Sequence, residues 1–192
     1  MGLKTLIVGG ITRSGKSEFC KRMVQYHHYS HVSIDSEIFA FKHVYPELNI
    51  RFGTLDYDVI CDNLLPFLTK QLEHMSRDNG FQYVVETYHI RPSDIPRLRA
   101  SMNCNAVFFG FPTISVDQKV RDIREYSANN SCWTEELSEE ELYSSVQRYI
   151  TKSQALRDEC AAHDVRFVDT SSKFCATLDA LIDKSELSAL ER

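Results

Sequence analysis

The chain is expected to be an α/β protein, with a three-layer, parallel, five-stranded sheet carrying helices on both faces. Two observations lead to that fold class. Short apolar runs alternate with longer helical stretches along the whole sequence, and strands separated by helices imply a parallel sheet covered on both sides. The first apolar run also leads directly into Gly10-Ile11-Thr12-Arg13-Ser14-Gly15-Lys16-Ser17. This is the G-x-x-x-x-G-K-[ST] pattern of a phosphate-binding loop between a strand and a helix.

Taken in order, the strands are expected at Leu3–Val8, His31–Ile34, Phe81–Glu86, Cys104–Phe111 and Val165–Asp169. Helices are expected at Lys16–His27, Ser36–His43, Tyr57–Arg77, Ser93–Ser101, Ser115–Asn129, Ser138–His163 and Lys173–Leu190. Two of their starts carry capping-box spacing, Ser115-x-x-Gln118 and Ser138-x-x-Glu141. Gly80 follows the third helix as a C-terminal stop should. Pro66 removes a ladder donor inside that helix, so a kink or a split is expected there. With 192 residues and no repeats, linkers or low-complexity segments, the chain suits one domain.

Composition is ordinary for a globular protein, at 43% hydrophobic and 26% charged. A formal charge of −5 leaves no broad basic footprint and argues against duplex nucleic acid as a partner, though a local basic channel stays open. Six cysteines, Cys20, Cys61, Cys104, Cys132, Cys160 and Cys175, are scattered without a C-x-x-C pair, so zinc-finger spacing is absent. Several fall on apolar positions, where a thiol acts as a small hydrophobe. These features lead us to expect a reducing, cytoplasmic setting, with no leader before the first strand and no membrane span. Monomer and homodimer both stay open.

The chemistry of the loop dictates its composition. Its glycines let the backbone curl so that N–H groups face phosphate oxygens, and the following helix adds its positive end. Lys16 is expected on the β/γ-phosphates and the Ser17 hydroxyl on Mg²⁺. In parallel sheets ligands gather beyond the carboxyl ends of the strands. The second strand leads to Asp35, the third ends in Glu86, and the fifth ends in Asp169-Thr170-Ser171. Two acids beside one phosphate site suggest a shared task.

The order of strand, P-loop, helix, acid-ended strands and a late arginine-bearing helix resembles the P-loop small-molecule kinases, relatives of nucleoside, nucleotide and shikimate kinases. The likeness in organisation covers nearly the whole chain, whereas only residues 10–17 form a specific motif. That loop also looks like those of nucleoside-type and nicotinamide-riboside-type kinases. The resemblance implies a P-loop kinase-like fold with ATP and Mg²⁺ as cofactors and a helical lid over roughly residues 116–149. The activity it implies is transfer of the γ-phosphoryl of ATP to a hydroxyl or phosphate of a small molecule. A nucleoside monophosphate kinase is one alternative, and a non-transferring nucleotide-binding regulator or slow ATPase is another. GTPase signatures are missing: Phe111-Pro112-Thr113-Ile114 stands where a guanine-reading N-K-x-D belongs, and no D-x-x-G switch is present.

Candidate roles follow. Nucleotide contacts are assigned to Gly10, Thr12, Arg13, Ser14, Gly15, Lys16, Ser17 and Glu18. In the resembled kinases the turn at Asp169, Thr170 and Ser171 packs on adenine; its structural alternative is an N-cap of the last helix. Asp35 is the candidate for the acid that orients and deprotonates the acceptor, or else an N-cap of the helix after it. Glu37 is its fallback. Glu86, at the end of a nearly apolar strand, is a candidate Mg²⁺-water ligand beside Ser17, or a hydrogen-bonded strand-end acid. Arg121 and Arg124 share a helix face and are expected to neutralise the transferring phosphoryl from the lid, or else to pair with surface acids. Arg91, Arg97 and Arg99 would clamp an anionic acceptor or lie solvated. His27, His28 and His31 lack ligand spacing and are expected at the surface. Trp133 belongs to the lid segment, and Glu135, Glu136, Glu139, Glu140 and Glu141 read as a solvated helix start.

Overall fold

The computed structural model describes residues 5–52, 56–77, 80–127 and 136–183. Trp133, Cys132, Glu135 and the end of the last expected helix lie outside these residues. The strands are β1 (Thr5–Gly10), β2 (Ser30–Ser33), β3 (Tyr83–Glu86), β4 (Cys104–Gly110) and β5 (Arg166–Asp169). They form one sheet in the order β2-β3-β1-β4-β5, and every neighbouring pair is parallel. The helices are α1 (Lys16–His27), α2 (Ile34–Val44), α3 (Tyr57–Arg77), α4 (Ile95–Ser101), α5 (Val116–Ser127), α6 (Glu139–Ala162) and α7 (Phe174–Leu181). Among the described residues no helix is long and apolar enough to cross a membrane.

The period-2 geometry of the strands sorts their side chains onto two faces. Ile7, Val85, Ala106 and Phe108 pack with Ile38 of α2, Leu64, Leu68 and Leu72 of α3, and Leu98 of α4. Leu6, Val8, Val84, Val107 and Phe109 turn the other way, onto Phe19, Cys20 and Met23 of α1 and Leu178 and Leu181 of α7. A third cluster joins Ile11 and Phe111 to Val120 and Ile123 of α5 and to Leu142, Val146 and Ile150 of α6. The α5–α6 pair is therefore anchored beside the strand ends through a core of its own.

Several boundaries differ from the sequence reading for physical reasons. β1 runs two residues past Val8, because Gly9 and Gly10 still pair with Phe108 and Phe109. α2 starts at Ile34 with Ser33 as N-cap, which puts Asp35 inside the first helical turn and overturns its reading as an N-cap. Pro66 sits within an unsplit α3, whose buried row Ile60, Cys61, Leu64, Leu68, Leu72 and Met75 outweighs the missing donor. The Ser138 capping box forms in full, with Ser138 Oγ accepting from Glu141 N at 3.3 Å and Glu141 Oε2 from Ser138 N at 2.9 Å. The Ser115 box is half made: Ser115 Oγ accepts from Gln118 N, while the Gln118 side chain turns to Asp122 and Arg121. Of the five described cysteines, Cys20, Cys61, Cys104 and Cys160 are buried thiols and Cys175 is exposed.

Candidate active site

β1 is the central strand; the connection that leaves it leads through α1 to β2 on one side, while the connection that leaves β3 crosses to β4 on the other. A crevice opens where those connections diverge. A cavity of about 950 Å³ occupies it. Its floor is the loop from Thr12 to Ser17, one wall is the turn from Thr170 to Phe174, and the opposite side carries Lys119 and Tyr126 of α5. Asp35, Glu86 and Tyr88 close the end toward β2 and β3.

The loop has the shape that its glycines permit. Gly10 has φ 126°, and a Cβ there would stand 2.2 Å from the Phe109 carbonyl oxygen. Gly15 caps α1 at φ 101°, and a Cβ would meet the Phe174 ring at 2.6 Å. Among the described residues no side chain caps the first turn of α1, which leaves its positive end open to an anion. Lys16 reaches back over the loop, and its ammonium donates to Gly10 O at 3.0 Å and Ile11 O at 2.9 Å. Burial is the largest influence on that ammonium and lowers its pKa, with Glu86 and Asp35 opposing. Ser14 is fully buried, and its hydroxyl has no partner among the described residues. An orphaned hydroxyl and a buried ammonium beside an uncapped helix end fit a polyanion.

Ser17 Oγ donates to Glu86 Oε1 at 2.6 Å, and the other carboxylate oxygen faces His31 Nε2 at 3.2 Å. Desolvation pushes the Glu86 carboxyl up, but His31, Ser17 and Lys16 outweigh it and hold the net pKa below the usual range. An ionised carboxylate and a hydroxyl 2.6 Å apart are the hard oxygen donors that Mg²⁺ takes. The residues therefore fit the ion expected here. Asp35 is exposed and lines the cavity. Desolvation by the cavity walls raises its pKa, Lys16 pulls it back, and Glu86 adds to the rise.

The remaining candidates divide. Glu18 lines the cavity and binds Arg22 at 3.1 Å. Thr170 Oγ1 donates to Ser14 O at 3.0 Å and Gly110 O at 3.1 Å, tying the fifth strand to the P-loop. Ser171 accepts from Thr113 N, while Asp169 accepts from Ser171 N and does not line the cavity. Their alternative as N-cap is overturned, since Lys173 holds that place. Arg121 and Arg124 do not line the cavity: Arg121 donates to Gln118 Oε1 and Arg124 to Leu137 O. Glu37 is bound to Gln71 of α3 at 2.6 Å and so is taken up structurally. Arg91 is held by Asp94 and Asp62, and Arg99 by the Asp164 carbonyl and Asn105.

The structure adds residues that the sequence reading passed over. Lys119 is 5% exposed, lies 4.1 Å over the Phe111 ring, and has a pKa lowered by burial to about 8. Its place between Val116 and Ile123 on an apolar helical stripe was the available signal. His31 is exposed, as expected, and also contacts Glu86. His89 is buried among Phe52, Tyr57 and Tyr88 within the field of Lys16 and Lys152, and burial lowers its pKa to about 4. No sequence pattern marked it.

No protein-family model matches the sequence, and no curated protein matches it. Solved structures do. A gluconokinase from Sinorhizobium meliloti 1021 is 17% identical, with 98% of this chain and 93% of that one covered and a TM-score of 0.58. A shikimate kinase from Bacteroides thetaiotaomicron is 13% identical, with 98% and 99% covered and a TM-score of 0.59. The chain thus has the fold of the P-loop small-molecule kinases.

Proposed function

We propose that the protein is a P-loop phosphotransferase that moves the γ-phosphoryl of ATP, with Mg²⁺, to a hydroxyl of a small molecule. One observation carries this reading: Lys16 and Ser17 of α1, Asp35 of α2 and Glu86 of β3 converge on a single cavity at the carboxyl ends of β1 and β3. Lys16 would exchange its two carbonyl partners for phosphate oxygens. Ser17 and Glu86 would hold Mg²⁺, which when bound neutralises phosphate charge. Asp35, desolvated and therefore more basic than a surface carboxylate, would orient the acceptor hydroxyl and take its proton. Arg121 and Arg124 would act only after α5 had turned toward the cavity, whereas Lys119 already lines it.

A hydroxyl acceptor is favoured over a phosphate. Of the three arginines considered for clamping a second phosphate, Arg91 is bound to aspartates and Arg99 to Asn105 and a carbonyl, and Arg97, which is exposed, does not line the cavity. Four buried free thiols among the described residues suit a reducing, cytoplasmic setting.

The test is ATP turnover against a panel of small-molecule acceptors. Lys16→Ala should abolish transfer and weaken ATP binding. Asp35→Asn should keep ATP affinity and lose about 10²–10⁴-fold in turnover, the usual worth of a positioned base. Near-normal turnover by the asparagine variant would remove Asp35 from the reaction. ATP consumption that no acceptor accelerates would favour a hydrolase.

A further inference from the structure

Cys20, His31 and Glu86 come from α1, β2 and β3 and meet on the α1 side of the sheet. In the β2–β3 register Ser33 stands opposite Glu86, and His31 lies two residues back on the same face. The cysteine sulfur, an imidazole nitrogen and a carboxylate oxygen all lie within 4.8 Å of one another. We propose that these three side chains form a binding site for one soft divalent cation of the Zn²⁺ class, which takes the Glu86 oxygen that faces His31.

The geometry needs little adjustment. Tetrahedral zinc with bonds of about 2.0–2.3 Å sets its ligand atoms roughly 3.3–3.8 Å apart. His31 Nε2 and Glu86 Oε2 are already 3.2 Å apart. The sulfur lies within 4.8 Å of both, so it has at most roughly 1.5 Å to close. The His31 and Glu86 side chains, 30% and 14% exposed, face solvent, and the fully buried Cys20 lies beneath them. His31 coordinates through Nε2 with its proton on Nδ1, the Cys20 thiol releases its proton to solvent, and a water fills the fourth position.

Ligand chemistry separates this ion from Mg²⁺. Thiolate and imidazole suit zinc-class ions, whereas Mg²⁺ requires near-octahedral oxygen. Glu86 belongs to both sets, with one oxygen on Ser17 and the other toward His31. A cation on Cys20 and His31 therefore shares this carboxylate with the Mg²⁺ site, each through its own oxygen. The proposal goes beyond the phosphotransfer reading and is tested without nucleotide.

The full chain, free of nucleotide and metal, would be titrated with Co²⁺ under reducing conditions. The expected result is a thiolate-to-cobalt charge-transfer absorption that saturates at a single equivalent and is bleached by Zn²⁺. It should vanish in Cys20→Ala and Cys20→Ser and persist in Cys175→Ser. His31→Gln, at a partly exposed side chain, should keep the fold and weaken Co²⁺ by at least about tenfold, the low end of what losing even an outer-shell partner costs. No charge-transfer band, a band that survives Cys20→Ala, or unchanged Co²⁺ affinity in His31→Gln each overturns the site. If the Cys20 variants do not fold, the histidine variant decides.

Discussion

Lys119→Met should make the protein more stable and a poorer nucleotide binder. Lys119 is 5% exposed, and burial is the largest influence on its ammonium, lowering the pKa from the ordinary 10.5 to about 8. Asp122 opposes that fall and Arg13 adds to it. At about 1.4 kcal/mol per tenfold change, the charged form costs the fold about 3 kcal/mol near neutral pH. The Phe111 ring returns about 0.5–2 kcal/mol through its contact with the cation. Methionine keeps the apolar stem and removes the charge, so the net gain should be about 1–3 kcal/mol. For a chain of this length that raises Tm by roughly 2–10 °C. A pH signature accompanies it. The folded chain releases the Lys119 proton at about pH 8 and the unfolded chain only near 10.5, so the folded state binds fewer protons between them. Stability of the parent should climb across that window, and the methionine variant should lack this part of the climb. Denaturant unfolding of both proteins at pH 7 and pH 10.5 measures it. The residue is retained, on this reasoning, for an anion: losing a charge-assisted contact worth about 1.5–3 kcal/mol should weaken ATP by roughly 10–100-fold. A variant less stable than the parent at pH 7, with the same slope to pH 10.5, would refute the account.

Gly10→Ala should lower Tm by at least about 6 °C, because a left-handed backbone costs about 1–2 kcal/mol and a Cβ 2.2 Å from the Phe109 carbonyl meets backbone that cannot yield. A melting temperature within about 2 °C of the parent would show that the strand end is looser than described. His89, with its pKa lowered to about 4 from the ordinary 6.5, contributes stability that is fully present above pH 6.5 and drains away as pH falls toward 4. Up to about 3 kcal/mol should be lost over that range, and His89→Gln should flatten this acid limb in urea unfolding at pH 7 and 4.5. An unchanged limb would mean that His89 is not desolvated.

The phosphate loop and the strand–helix alternation were legible because both are local. A glycine-lysine-serine spacing and an apolar period depend only on neighbours along the chain. On the same basis α1 and α3 begin and end where their sequence patterns place them. Asp35 and Glu86 were found as strand-end acids, a rule that needs only the order of elements. The errors share one cause. Asp35 as an N-cap and a split at Pro66 each turned on packing between elements that local sequence does not show.

Sequence alone determined that this chain builds a parallel α/β sheet and presents a phosphate cradle at the end of its first strand. Tertiary structure decided which side chains face that cradle. Strand order set β2 beside β3, so that His31 reached Glu86 across 55 positions of sequence, and α5 docked Lys119 against Phe111 at the cavity wall. Electrostatic character followed from that placement, because a charge is felt through space and burial rather than along the chain.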